Sequence, residues 1–193
     1  MEQRINPRDL TLLLTLAAAF AAATTARAAK PSDRELAQKI VGTCVSIQPG
    51  DVVVVAGGKH VIPLMEEVAI AAQEAGGLVT MFLSSDRVGR SRSADIPEEY
   101  LQYEPHYFKE WVKQIDVWIG LPNSEDPEAI RQGVSESRLA KMARGGRSIR
   151  EAVSEATLRG VFVGMPTRQT AQRVGVDFKM LSRIGVSEIY RLL

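Results

Sequence analysis

Residues 48–85 read QPGDVVVVAGGKHVIPLMEEVAIAAQEAGGLVTMFLSS, a stretch that spells out one complete strand–helix–strand unit with its punctuation in place. Pro49-Gly50-Asp51 marks a turn, Val52 to Ala56 is a β-branched run, and Gly57-Gly58 breaks it. The run is continuous rather than alternating, so both of its faces are expected to be covered. Pro63 sits where the first turn of a helix tolerates it. Leu64, Met65, Val68, Ala71, Ala72 and Ala75 then recur at helical spacing until Gly76-Gly77 stops the helix before a second apolar strand, Leu78 to Leu83. A crossover of this length between two apolar strands predicts a parallel, right-handed βαβ unit.

Upstream, Ser32-Asp33-Arg34-Glu35 has the form of a capping box. The helix it opens, about Asp33 to Ser46, places Leu36, Ile40, Cys44 and Ile47 on one stripe that is expected to pack on the sheet. Further upstream Arg4 and Arg8 precede the apolar tract Leu10–Ala23, and Ala26-Arg27-Ala28 follows. That order predicts a secretory signal peptide over residues 1–28 and a domain over 29–193, hence an exported protein, periplasmic or secreted, with no membrane association beyond the export signal. Removing Arg4, Arg8 and Arg27 with Glu2 and Asp9 from totals of 24 basic and 23 acidic residues leaves 21 of each. This neutrality argues against nucleic acid as a partner. The single cysteine, Cys44, has no intramolecular partner, so the fold is expected to stand on its core, with Cys44 as a buried, inert thiol.

Downstream, the segment Ser84–Tyr103 is dense in Ser, Arg and acidic residues without apolar periodicity, which predicts a long exposed loop. It follows the second strand at the carboxyl end of the sheet, where parallel sheets carry ligands. A short helix is expected over Glu104–Gln114, a third strand over Asp116–Gly120, and a helical region over Pro127–Ala156 interrupted near Gly145-Gly146. A fourth strand over Val161–Gly164 and a last helix capped by Thr167 complete the pattern. Helical patterning resumes from Asp177 to Ile184. Together these elements predict an α/β fold: an open, mostly parallel sheet of four or five strands with helices on both faces, a Rossmann-like three-layer arrangement.

The local chemistry is sparse. Gly57-Gly58-Lys59-His60, the turn after the first strand, combines glycines that let a ligand approach the backbone with a cation and a titratable ring. It matches neither G-x-G-x-x-G nor G-x-x-x-x-G-K-[ST]. Arg87 and Arg90, with Arg92, form a candidate anion patch. Gly57, Gly58, Lys59, His60, Arg87 and Arg90 are therefore the candidate ligand-binding residues, weighed against a plain turn and a solvated loop. The only histidines, His60 and His106, lack metal-binding spacing, and no G-x-S-x-G elbow occurs, so neither a catalytic residue nor a metal ligand is assigned.

From the helix LAQKIVGTCVSIQPGDVVVVAG, through EAGG and DVWIG, to RGVFVGMPTRQTAQRVGVDF, the chain resembles the amino-terminal domain of the thermophilic-type metallo-aminopeptidases, the aminopeptidase T-like family. The family's P-T-x-x-x-A-Q pattern stands here as Pro166-Thr167-Arg168-Gln169-Thr170-Ala171-Gln172. The likeness runs from about Leu36 to Ile184. It implies hydrolysis of amino-terminal residues from peptide substrates by two divalent metal ions, zinc or cobalt, whose ligands lie in a following domain, and it implies homodimers. The chain ends at Leu193, so the resemblance implies a truncated amino-terminal domain without the metal ligands, expected to be inactive alone. The tail GVSEIYRLL departs from the family. The alternative reading is a non-catalytic periplasmic domain that binds a small anionic ligand.

Overall fold

The computed structural model describes residues 32–180. The signal peptide expected over 1–28 and the chain after Met180, including the tail GVSEIYRLL, lie outside the described residues. Helix α1, Asp33–Lys39, opens with the capping box: Glu35 N–H donates to Ser32 Oγ at 3.2 Å and Ser32 N–H donates to Glu35 Oε2 at 2.7 Å. It runs on into a π-helical turn, Ile40–Val45, and ends at Ser46, whose φ of 47° turns the chain towards the sheet. Gly50, at φ 92°, donates to Gly76 O at 2.9 Å, which joins the turn before the first strand to the turn before the second.

Strand β1, Val52–Gly58, is followed by a 3₁₀ turn, Lys59–Val61, helix α2, Ile62–Glu74, and strand β2, Leu78–Ser84. Beyond them come α3 (Asp86–Ala94), a 3₁₀ turn (Glu98–Tyr100), α4 (His106–Val112) and β3 (Val117–Gly120). The chain continues through α5 (Pro127–Arg131), α6 (Glu136–Gly145), α7 (Arg147–Glu155), β4 (Arg159–Phe162) and α8 (Arg168–Arg173). The four strands form one sheet in the order β2-β1-β3-β4, every pair parallel. The expected open parallel sheet is therefore present, with four strands. The chain moves outward from β1 to β2, then crosses back to lay β3 on the other side of β1, so β1 and β3 flank a topological switch point.

The uninterrupted valines of β1 serve two cores. Val53 and Val55 pack with Leu36, Ile40, Val45, Leu64, Met65 and Val68 from the α1 and α2 side. Val54 and Ala56 pack with Phe108, Val112 and Ile115, and Trp111, Trp118 and Ile149 close around them from the α4 and α7 side. All three central valines are fully buried, as a strand covered on both faces requires. Cys44 is half-buried against the first cluster, and burial pushes its thiol pKa up.

Three expectations are corrected. The segment Ser84–Tyr103 is not a long loop but contains α3 and a 3₁₀ turn. The helix DRVGRSRSA has almost no apolar stripe and is held by polar ties to α5 instead, which hydrophobic periodicity cannot register. The helical region Pro127–Ala156 is interrupted not only near Gly145-Gly146 but also at residues 132–135, where Gly133 takes φ 70°. Strand β4 starts two residues earlier than expected, at Arg159, because Arg159 N–H donates to Asp116 O at 2.9 Å and begins the ladder there.

Candidate functional site at the carboxyl edge of the sheet

All four strands point their carboxyl ends to one edge, and the loops that leave this edge are tied to one another. Gly58 N–H donates to Pro122 O at 2.8 Å, linking the turn after β1 to the segment after β3. A Cβ on Gly58 would stand 2.7 Å from Asn123 O and 2.9 Å from His60 Cε1, so glycine is what allows this approach. Asp86, in the first turn of α3, accepts from the backbone N–H groups of Glu125 and Asp126 at 3.0 Å each. The loops after β1, β2 and β3 therefore form one rigid rim.

The candidate residues divide within this rim. Gly57 and Gly58 are buried at the end of β1, with Met65 Sδ 2.8 Å from where a Gly57 Cβ would be. Lys59 is exposed and His60 half-buried in the 3₁₀ turn, and His60 Nε2 is buried without a hydrogen-bond partner among the described residues. Arg87 is exposed on α3. Arg90 turns away from solvent: its Nη1 donates to Ala129 O and Ile130 O at 3.4 Å each and makes a short bond to Gln132 O. This guanidinium caps the carbonyl end of α5, where a cation suits the helix dipole. Ser93 Oγ donates in the same region, to Ile130 O at 2.6 Å.

Sequence reasoning missed a cleft of about 540 Å³ between the segment after β3 and the segment after β4. Pro122 and Met165 give it apolar walls, and Ser124, Asp126, Gln169 and Thr170 give it polar groups. Two bridges span it: Gln169 Nε2 donates to Asp126 Oδ2 at 2.6 Å, and Arg173 Nη1 meets Glu128 Oε1 at 2.6 Å. Asp126 Oδ1 also accepts from Ala129 N–H at 3.0 Å as the N-cap of α5, and Thr167 Oγ1 accepts from Thr170 N–H at 3.1 Å as the N-cap of α8. Ser124 Oγ is buried without a partner among the described residues. The available signals were Asp126-Pro127, an N-cap followed by proline, and Thr167 after the fourth strand. Both mark helix starts, but neither announces that the two starts face each other.

No three His, Cys, Asp or Glu side chains among the described residues come together as a group able to hold a metal ion. No helix among them is long and apolar enough to cross a membrane. Histidines are confined to His60 after β1 and His106 at the start of α4. The arrangement has the means to hydrogen-bond a polar ligand at the rim, and it does not fit a metal centre.

An open parallel sheet with helices over both faces and a crevice at its carboxyl edge defines the class as a doubly wound α/β domain. A family model described as thermophilic metalloprotease (M29) matches residues 30–183, and the chain belongs to that family. Among solved structures, wild-type AmpT from Thermus thermophilus resembles it in fold, with a TM-score of 0.68 at 16% identity over 82% of this chain and 42% of that one. The chain thus spans less than half of that neighbour's length. A search of the curated proteins finds no match.

Proposed function

We propose that this chain is the α/β amino-terminal part of an exported metal-dependent aminopeptidase, a hydrolase that removes amino-terminal residues from peptides. The match to the metalloprotease family over residues 30–183 is the observation that carries this reading. In it, two divalent ions, zinc or cobalt, are held by residues other than those described, since the described ones do not fit a metal group. The domain's own contribution is a rigid rim and a cleft whose hydroxyl, amide and backbone groups are of the kind that hydrogen-bond a peptide main chain. Its width is held by the Asp126–Gln169 and Glu128–Arg173 bridges. By itself the chain hydrolyses nothing.

The test is hydrolysis of aminoacyl-anilides by the purified chain with zinc or cobalt added. The proposal expects no turnover above the metal-only blank. Metal-dependent turnover abolished by a chelator would refute the inactivity of the chain. A second reading, a small anion bound at Gly57–His60 with Arg87, is favoured by the unpartnered His60 Nε2. It requires a thermal shift with phosphate or carboxylates that Lys59→Ala weakens.

A further inference from the structure

The two walls of the cleft at the carboxyl edge differ in hydrogen-bonding character. Asp126 and Glu128, at the start of α5, present carboxylates, which only accept. Gln169 and Arg173, on one face of α8, present an amide and a guanidinium, and both donate. Gln169 meets Asp126 and Arg173 meets Glu128 at 2.6 Å each. Both bridges lie at the surface, the Arg173 and Glu128 side chains being 63% and 74% exposed. Pairs so open to water contribute little to stability, so they exchange partners readily. One buried group is left out of the pairing. Ser124 Oγ, in the same segment as Asp126, has no hydrogen-bond partner among the described residues.

A ligand that enters between these walls has to satisfy both. An anion alone would separate Arg173 from Glu128 and stand against two carboxylates, and a cation alone would leave Arg173 without its counter-charge. A molecule with an ammonium and a carboxylate side by side replaces both bridges at once. We infer that the cleft binds a free α-amino acid with an aliphatic side chain. Its ammonium donates to Asp126 and Glu128, and its carboxylate accepts from Gln169 and Arg173. The neutral amide–carboxylate bond is thereby exchanged for bonds in which both partners are charged, which are stronger.

The rest of the lining fits the same ligand. Pro122 and Met165 offer apolar surface to the side chain, and the Ser124 hydroxyl gains a partner in the ammonium without giving one up. Thr167 and Thr170 are committed to capping α8, Thr167 Oγ1 accepting from Thr170 N–H and lying 3.1 Å from Thr170 Oγ1. The volume of about 540 Å³ falls within the roughly 300–1,000 Å³ of small-molecule sites. The amino end of a peptide supplies the ammonium but sets an uncharged amide before Arg173. The inference thus narrows the main-chain ligand of the reading above to a single unit charged at both ends. It stands on the charges of the cleft and is read from binding, whereas the peptidase reading is tested by turnover.

Isothermal titration of the purified full chain with L-leucine is compared with three analogues: isopentylamine without the carboxylate, 4-methylpentanoate without the ammonium, and leucinamide with the carboxylate neutralised. Leucine should bind at one site per chain, and each analogue at least about tenfold more weakly, as the loss of a charged hydrogen-bonded contact requires. Asp126→Asn, which keeps a side chain able to cap α5, and Arg173→Gln should each weaken leucine by a similar factor. Ser124→Ala should also weaken it while leaving the melting temperature of the free chain unchanged or raised, since its hydroxyl has no partner to lose. Absence of leucine binding at millimolar concentration overturns the inference. So does leucinamide or isopentylamine binding as tightly as leucine, the first of which would assign the cleft to peptide amino ends. Leucine binding unchanged in both folded charge variants would place it elsewhere and overturn the inference as well. The analogue series uses the unmodified chain, so it decides the matter even where a variant fails to fold.

Discussion

Arg159 reaches from the start of β4 to Asp51, in the turn before β1, with Nη2 2.5 Å from the carboxylate Oδ2. Its other terminal nitrogen donates to Val45 O at 3.0 Å and Ser46 O at 2.9 Å, the carbonyls where the π-helical turn ends. One guanidinium therefore joins the edge strand β4, the central strand's entry turn and the end of the first helical segment. An exposed ion pair by itself contributes little, and here the two carbonyl acceptors add most of the effect. Arg159→Ala should cost about 1–2 kcal/mol in urea unfolding, and Arg159→Lys should recover only part of it, since an ammonium lacks the fork that reaches all three acceptors.

Asp51 gives this junction a pH dependence. Its carboxylate accepts from Gln48 N–H at 2.6 Å, and that bond, followed by Arg159, holds its pKa below the ordinary value. A depressed folded-state pKa stabilises the fold above the unfolded value, near 3.9, and the stabilisation is lost as pH falls through the folded value. Asp51→Asn should therefore be less stable than the parent at pH 7, and the gap should narrow steadily below about pH 4. Thermal melts of the two proteins across that window check it; a gap that widens on acidification contradicts it.

Two glycines that both meet a neighbour should respond differently to alanine. At Gly58 the added Cβ meets the backbone of Asn123 at 2.7–2.9 Å, and that segment is fixed by the Gly58–Pro122 hydrogen bond and by Asp86. At Gly120 the added Cβ meets the ring of Phe162, which is 77% exposed and has room to swing out. Gly58→Ala should cost about 1–3 kcal/mol and Gly120→Ala less than about 1 kcal/mol, read from denaturant midpoints at unchanged slope.

Ser148 is 2% exposed in α7, and its hydroxyl has no hydrogen-bond partner among the described residues. A buried hydroxyl without a partner is destabilising, so removing it relieves that cost. Ser148→Ala should be neutral or stabilising, by up to about 1 kcal/mol, where most buried substitutions destabilise. A loss larger than about 1 kcal/mol in chemical denaturation would contradict this.

The parts of the fold written in apolar periodicity were legible. The valines of β1, the α2 stripe, the Ser32 capping box and the Thr167 cap all stand where their residue types place them. What escaped was written in polar side chains whose partners are distant in the chain. Helix α3 is organised by Arg90 and Ser93 binding carbonyls of residues 129–132, about forty positions away, so its residues resemble those of a loop. The same distance hid the cleft: Asp126 and Gln169 become neighbours only once β3 and β4 lie side by side. The apolar run Leu78–Leu83 announced a strand, but nothing in it told that the strand would lie at the edge.

This α/β domain belongs to a metallopeptidase family while building no metal site from its described residues. The decisive measurement equilibrates the purified chain with zinc, dialyses it, and determines bound metal per chain. A chain without a metal site should retain substoichiometric zinc and show no change in melting temperature on adding chelator. One or two equivalents of retained zinc, removed by chelator with a fall in melting temperature, would contradict it.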